Sequence, residues 1–150
     1  MSNANILIKK LPYSRPFLFV DAITEINDTG IIGNYTFRKD EFFYKGHFKD
    51  NPVTPGVILT ECMAQIGLVA YGITLLPDTV DTDTLQIAFT SSQMNFYRPV
   101  YPADTVWVKS TKQYFRFGKL QCEVAMYNAN DTLIAKGVLA GMFKVNNTDE

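Results

Sequence analysis

His47 and Glu61 are the side chains in this sequence best suited to exchanging protons with a substrate near neutral pH. His47 is the chain's one histidine, and an unperturbed imidazole titrates at about pH 6.5. It sits in Lys45-Gly46-His47-Phe48, a loop segment, where a histidine is more commonly exposed or merely hydrogen-bonded. Glu61 is the only charged residue between Asp50 and Asp78. A carboxylate in so apolar a stretch must be paired, protonated or turned toward a cavity. In a cavity, desolvation raises its pKa and makes it a proton donor. A hydrogen bond from Gln65 one helical turn later, or projection to solvent at the helix start, makes it structural instead. Residue chemistry alone leaves both readings open. Between the two residues, Pro55-Gly56 marks a helix entry, whose free backbone N–H groups favour a carbonyl oxygen gaining negative charge. A base, an acid and an oxyanion donor therefore fall within the 15 residues from His47 to Glu61. These are the parts for an elimination next to a thioester.

Other chemistries lack their residues. One histidine excludes, within one chain, multi-histidine zinc sites and two-histidine iron sites. No glycine-rich phosphate or dinucleotide motif is present, so neither metal nor cofactor is expected. Cys62 and Cys122 match no metal or redox spacing. Cys62 is turned about 100° around the helix from Glu61, which suits a buried structural thiol better than a nucleophile. The net charge of −1 and the scattered basic residues give no footprint for nucleic acid.

The positioning elements are a helix and strands. Gly56 to Leu76 is a 21-residue run with a single charge, long enough at about 31 Å to cross a bilayer. Glu61 inside it, Gln65 beside it and the lack of Lys or Arg at its ends argue against insertion. A helix apolar on nearly every side must then be enclosed by protein. Gly67 and Gly72 are expected to admit another backbone against it. Val20–Ile26 and Ile31–Phe37 read as a hairpin about Asn27-Asp28-Thr29-Gly30. Phe42–Thr54 reads as a loop, Asp78–Thr84 as a surface connector, and Leu85–Tyr97, Thr105–Phe115, Lys119–Tyr127 and Leu133–Val145 as strands. Residues 1–150 then form one α+β domain: a curved antiparallel sheet of about six strands wrapped around one long central apolar helix, the hot-dog arrangement. One such sheet cannot cover every side of the helix, and charged residues at 19% fall below the usual share of about 25%. Both point to pairing with a second copy. The start Met1-Ser2-Asn3-Ala4-Asn5 lacks the pattern of a secretory signal, and a reducing cytoplasmic setting is expected.

The motifs His47-Phe48, Pro52-Val53, Pro55-Gly56-Val57 and Glu61-Cys62-Met63-Ala64-Gln65 resemble those of the FabZ-type 3-hydroxyacyl-[acyl-carrier-protein] dehydratases, including the 14-residue step from His to Glu. Leu11-Pro12, Arg15-Pro16-Phe17-Leu18 and Val20-Asp21 match that family's amino-terminal signature, and Asn95-Phe96-Tyr97-Arg98-Pro99-Val100 a later strand and turn. The resemblance spans roughly Leu11 to Val145. Departures are Tyr13 for a usual histidine, Lys49-Asp50 for Pro-Gly, Thr54 for a common methionine, and Ala103 interrupting Pro-Gly-Asp.

The resemblance implies a 3-hydroxyacyl substrate on the phosphopantetheine arm of an acyl carrier protein and a trans-2-enoyl thioester product. His47 would take the C2 proton, Glu61 would protonate the departing C3 hydroxyl, and the Gly56 N–H would hold the thioester oxygen, with no cofactor. It also implies that His47 and Glu61 of one site come from opposite subunits, making a homodimer the smallest active unit, with trimers of dimers known among relatives. Arg15, Arg98, Arg116 or Lys119 could form a basic rim for the acidic carrier protein. Phe89, Phe96 and Tyr97 could line an acyl tunnel, although strand aromatics more usually belong to a core. A hot-dog thioesterase, with Glu61 activating water, and a catalytically silent acyl-binding subunit are the alternatives. Acyl chain length and pathway, housekeeping or specialised polyene and polyketide synthesis, stay open.

Overall fold

In the computed structural model, which describes residues 3–145, the chain begins with a short helix, α1 (Asn3–Lys10), and a hairpin of β1 (Ala22–Ile26) and β2 (Gly30–Thr36). The long helix α2 (Gly56–Leu75) follows. Strands β3 (Leu85–Phe96), β4 (Thr105–Arg116), β5 (Lys119–Tyr127) and β6 (Leu133–Val145) complete the chain. All six strands form one antiparallel sheet in the order β1-β2-β4-β5-β6-β3. The sheet curls around α2, as the hot-dog expectation required.

Local chemistry explains the elements. Asn27 Oδ1 accepts from the N–H groups of Thr29 and Gly30 at 2.9 and 3.0 Å, closing the first hairpin turn. At Gly30 a Cβ would lie 2.0 Å from the Ser110 carbonyl oxygen, so β4 can approach only a glycine. Between β4 and β5, Phe117 and Gly118 both take positive φ, 53° and 78°, the geometry of a tight hairpin.

α2 is buried around most of its circumference, including every residue from Gln65 to Ala70, where the helix widens into a π turn. Its apolar length thus serves the core, as the position of Glu61 suggested. The glycines act differently from expectation. A Cβ at Gly72 would sit 2.1 Å from the Phe143 ring, and one at Gly67 would meet Val124 and Ser110 at 3.0 and 3.1 Å. Side chains of the sheet, rather than a second backbone, fill the space.

Two features were not anticipated. Residues 3–10 are helical, because Leu7 and Leu11, one turn apart, both enter the core at 5% and 6% exposure. Phe42–Lys45 forms a single 3-10 turn within the predicted loop. One expectation is overturned: Phe89, Phe96 and Tyr97 are not core residues, as strand aromatics more usually are, but are 46%, 46% and 57% exposed. β3 is a sheet edge bonded only to β6, so its rings lack a neighbouring strand to cover them.

Candidate active site

The loop that carries His47 is pinned at both ends by buried polar contacts. At its start, Glu41 is 8% exposed and its carboxylate accepts from the Tyr35 hydroxyl and, at 3.1 Å, from the Arg38 N–H. At its end, Thr54 is 5% exposed, its hydroxyl is hydrogen-bonded to that of buried Tyr44, and its N–H donates to Val100 at 2.8 Å. Burial pushes the Tyr44 phenol up to about 12, so it stays neutral and available for that bond. The His47 loop and the entry of α2 are thereby tied together through Tyr44 and Thr54.

Within the loop, the His47 N–H donates to the Phe43 carbonyl at 3.1 Å, and the Val53 N–H donates to the His47 carbonyl at 2.8 Å. The His47 ring stacks on Phe48, centroids 4.1 Å apart. Its Nδ1 lies 3.0 Å from the Val53 carbonyl oxygen. A carbonyl only accepts, so Nδ1 carries a proton, and in the neutral ring Nε2 then presents the lone pair. That is the tautomer a general base needs.

Glu61 lies on the second turn of α2. Burial pushes its carboxyl pKa up, opposed by the hydrogen bond from Gln65, whose Nε2 donates to Glu61 Oε2 at 3.0 Å. The two sequence readings therefore coexist: Glu61 is paired with Gln65 and also lines a cavity with Pro12, Tyr13, Phe17, Leu68 and Phe89. Gln65 itself is fully buried. Its amide accepts from the Phe19 N–H at 2.8 Å and donates to the Phe17 carbonyl at 3.0 Å, clamping the amino-terminal segment onto α2 beside the carboxyl.

Gly56 opens α2 behind Pro55. The N–H groups of Ile58 and Leu59 already donate to the Pro55 carbonyl at 2.9 and 3.1 Å, whereas the first N–H groups of a helix have no internal acceptor. Those of Gly56 and Val57 are the open donors. Gly56 lines a second cavity with Thr54, Leu59, Phe96 and Arg98. The Glu61 and Gly56 cavities are distinct, and His47 lines neither. Neither of these two cavities is lined by all three groups.

The remaining candidates sort by position. Of the basic residues proposed for a rim, Arg98 lies at the Gly56 cavity. Arg15 is 3.7 Å from Asp21, and Arg116 pairs with Lys119 across the β4–β5 hairpin, whose Gly118 carbonyl is bonded to Phe143. Phe143 packs on Gly72, so that hairpin lies toward the opposite end of α2 from Gly56. Cys62 is fully buried, its thiol donates to the Phe19 carbonyl at 3.4 Å, and burial pushes its pKa up, which fits a structural thiol. Among the described residues no group of three or more His, Cys, Asp and Glu side chains could hold a metal. The contacts sequence reasoning missed are Tyr44–Thr54, Val53 with His47, and Tyr13 beside Glu61. All join segments with no shared periodicity.

Residues 11–141 match the FabA-like domain family. The 3-hydroxyacyl-[acyl-carrier-protein] dehydratase FabZ of Ehrlichia canis (strain Jake) is 33% identical, over 96% of this chain and 97% of the relative. This chain belongs to the FabZ-type dehydratases of the FabA-like family. FabZ of Wolbachia pipientis subsp. Culex pipiens (strain wPip) is 34% identical, over 89% of this chain and 95% of the relative. Among solved structures, the dehydratase heterocomplex ApeI:P from Xenorhabdus doucetiae matches with a TM-score of 0.74 at 13% identity, over 96% of this chain and 93% of that one. A hypothetical thioesterase with coenzyme A from Streptococcus pneumoniae TIGR4 matches at 0.62 and 14% identity, over 84% and 87%. At such identities these two establish the hot-dog fold of this FabZ-type chain and nothing finer.

Proposed function

We propose that this FabZ-type chain removes water from a 3-hydroxyacyl thioester carried by an acyl carrier protein, with His47 as base, Glu61 as acid and Gly56 as oxyanion donor. The thioester carbonyl accepts from the Gly56 N–H, and negative charge on that oxygen grows as the C2–H bond breaks. His47 Nε2 takes the C2 proton and becomes imidazolium, still donating from Nδ1 to Val53. Electrons from C2 form the C2–C3 double bond, the C3–O bond breaks, and the hydroxyl departs as water with the Glu61 proton. A proton returned from His47 to Glu61 through solvent resets the pair. The observation that carries this reading is the complementary setting of the two groups: Val53 occupies Nδ1 of the imidazole and leaves Nε2 as the nitrogen open to substrate, while burial shifts the Glu61 carboxyl toward its protonated form.

The smallest active unit in this proposal is a homodimer whose sites combine His47 of one copy with Glu61 of the other. The separate cavities at Glu61 and Gly56, neither lined by His47, support it. So does the twelve-residue edge strand β3, which leaves Phe89 and Phe96 open beside those cavities. The carrier protein would dock where Arg98 borders the Gly56 cavity. Two buried free cysteines suit a reducing cytoplasmic setting.

Mass-resolved turnover of a 3-hydroxyacyl carrier-protein thioester tests the reaction. The expected product has lost one water with the thioester intact, and His47→Ala and Glu61→Gln each abolish it. Release of a free thiol would assign hydrolysis instead, and no change over several chain lengths would leave only a binding role.

A further inference from the structure

The cavity beside Glu61 has a wall that acid–base chemistry does not need. Tyr13 and Phe17 of the amino-terminal segment and Phe89 of β3 enclose it with Leu68 and Val69 of α2, leaving about 240 Å3. An apolar cavity of about 150 Å3 holds a benzene, so this one admits a short acyl tail beyond the reacting carbons. The Phe17 side of the wall is set before any ligand arrives. Gln65 holds the Phe17–Phe19 backbone through two hydrogen bonds, and the Phe17 ring meets Phe19 edge-on with centroids 5.0 Å apart. In the single chain Phe17 and Phe89 keep open faces, at 40% and 46% exposure. Tyr13, a position where the chain departs from the family's usual histidine, adds a third ring beside the carboxyl.

A saturated tail entering this space must freeze a rotor at every bond, and its methylenes give the rings nothing beyond area burial. A conjugated tail is already flat, and its π faces suit the offset-stacked and edge-on contacts that aromatic rings prefer. We infer that this site selects 3-hydroxyacyl chains whose tail carries a planar π system, conjugated double bonds or an aryl ring, over saturated tails of equal length, with Tyr13 and Phe89 setting the preference. The inference rests on the dehydratase reading above and names its substrate class.

The test uses two ten-carbon 3-hydroxyacyl thioesters on the same carrier protein. One is saturated, and the other bears a conjugated diene in its terminal carbons, too far from C3 to alter the elimination itself. The wild-type chain should show a kcat/KM about tenfold higher for the diene, the scale of one or two aromatic contacts. The ratio should fall toward one in Tyr13→Leu and Phe89→Leu. Equal values, or preference for the saturated thioester, would overturn the inference while leaving dehydration intact. A tenfold ratio unchanged in both folded variants would overturn the assignment to these rings. Water loss from neither substrate would remove the dehydratase reading and this inference with it. The wild-type ratio is decisive by itself, so a variant that folds poorly does not spoil the test.

Discussion

Gln65→Met removes the amide that joins the amino-terminal segment to the proposed acid while nearly keeping its volume. Three hydrogen bonds are lost, to the Phe19 N–H, the Phe17 carbonyl and Glu61. Phe19 is fully buried, so water cannot replace the acceptor of its N–H, and such an orphan costs about 1–3 kcal/mol. The bond to the Phe17 carbonyl is only part-buried, so its loss costs less. The net loss is therefore about 2 kcal/mol, which at about 2–4 °C per kcal/mol for a chain of this size lowers Tm by about 4–8 °C. The effect on Glu61 has a definite sign. The Gln65 N–H stabilises the carboxylate and lowers its pKa, so its removal raises the pKa further. The proposed mechanism needs Glu61 protonated, so the alkaline limb of the kcat/KM profile moves to higher pH. Scanning calorimetry at fixed protein concentration and a pH–rate series read both effects. A Tm change within about 1 °C, or a limb that stays put or moves to lower pH, would refute the reasoning.

Three other outcomes follow from the same contacts. The folded pKa of Glu61 is raised by burial, so the native state binds its proton more tightly than the unfolded state, and stability falls as pH rises from the unfolded toward the folded value. Glu61→Gln should therefore raise Tm at neutral pH while abolishing turnover, with the gain shrinking as the buffer is made acidic; an equal Tm difference at all pH values would count against this. Gly72→Ala places a Cβ 2.1 Å from the Phe143 ring and should cost about 1–3 kcal/mol in urea unfolding, whereas no change would show that the ring moves freely. Tyr44→Phe strands the buried Thr54 hydroxyl and should lower kcat more than it raises KM, because the tie between the His47 loop and α2 is cut; a pure KM effect would contradict that role.

Much of this arrangement was legible in the residues. β5 and β6 begin and end where the sequence places them, because Phe117-Gly118 and Asn128-Ala129-Asn130-Asp131 are strong turn chemistry on either side. α2 was legible as a buried helix because Glu61 and Gln65 in a long apolar run, with no Lys or Arg at its ends, argue against a bilayer, and so apolar a helix needs cover from solvent. Gln65 as partner of Glu61 was one of the readings that one-turn spacing offered, and the two do bond. Strand order did not follow, and with it went the exposure of Phe89, Phe96 and Tyr97, because a strand's propensities do not say whether it is central or an edge. The Tyr44–Thr54 bond was equally hidden, joining two ends of a loop with no period to follow. α1 did carry a readable signal in Leu7 and Leu11, which a search for a secretory leader alone passes over.

The central claim is that one site draws its base and its acid from two copies of the chain, and mixing two dead variants tests it most directly. His47→Ala and Glu61→Gln chains, each inactive alone, are unfolded together, refolded as mixed pairs and assayed for the water-loss product. The account predicts recovered dehydration, because each mixed pair holds one site with intact His47 and intact Glu61. No recovery from well-folded mixed pairs would place both groups of a site on one chain, and water loss by either variant alone would contradict the acid–base assignment.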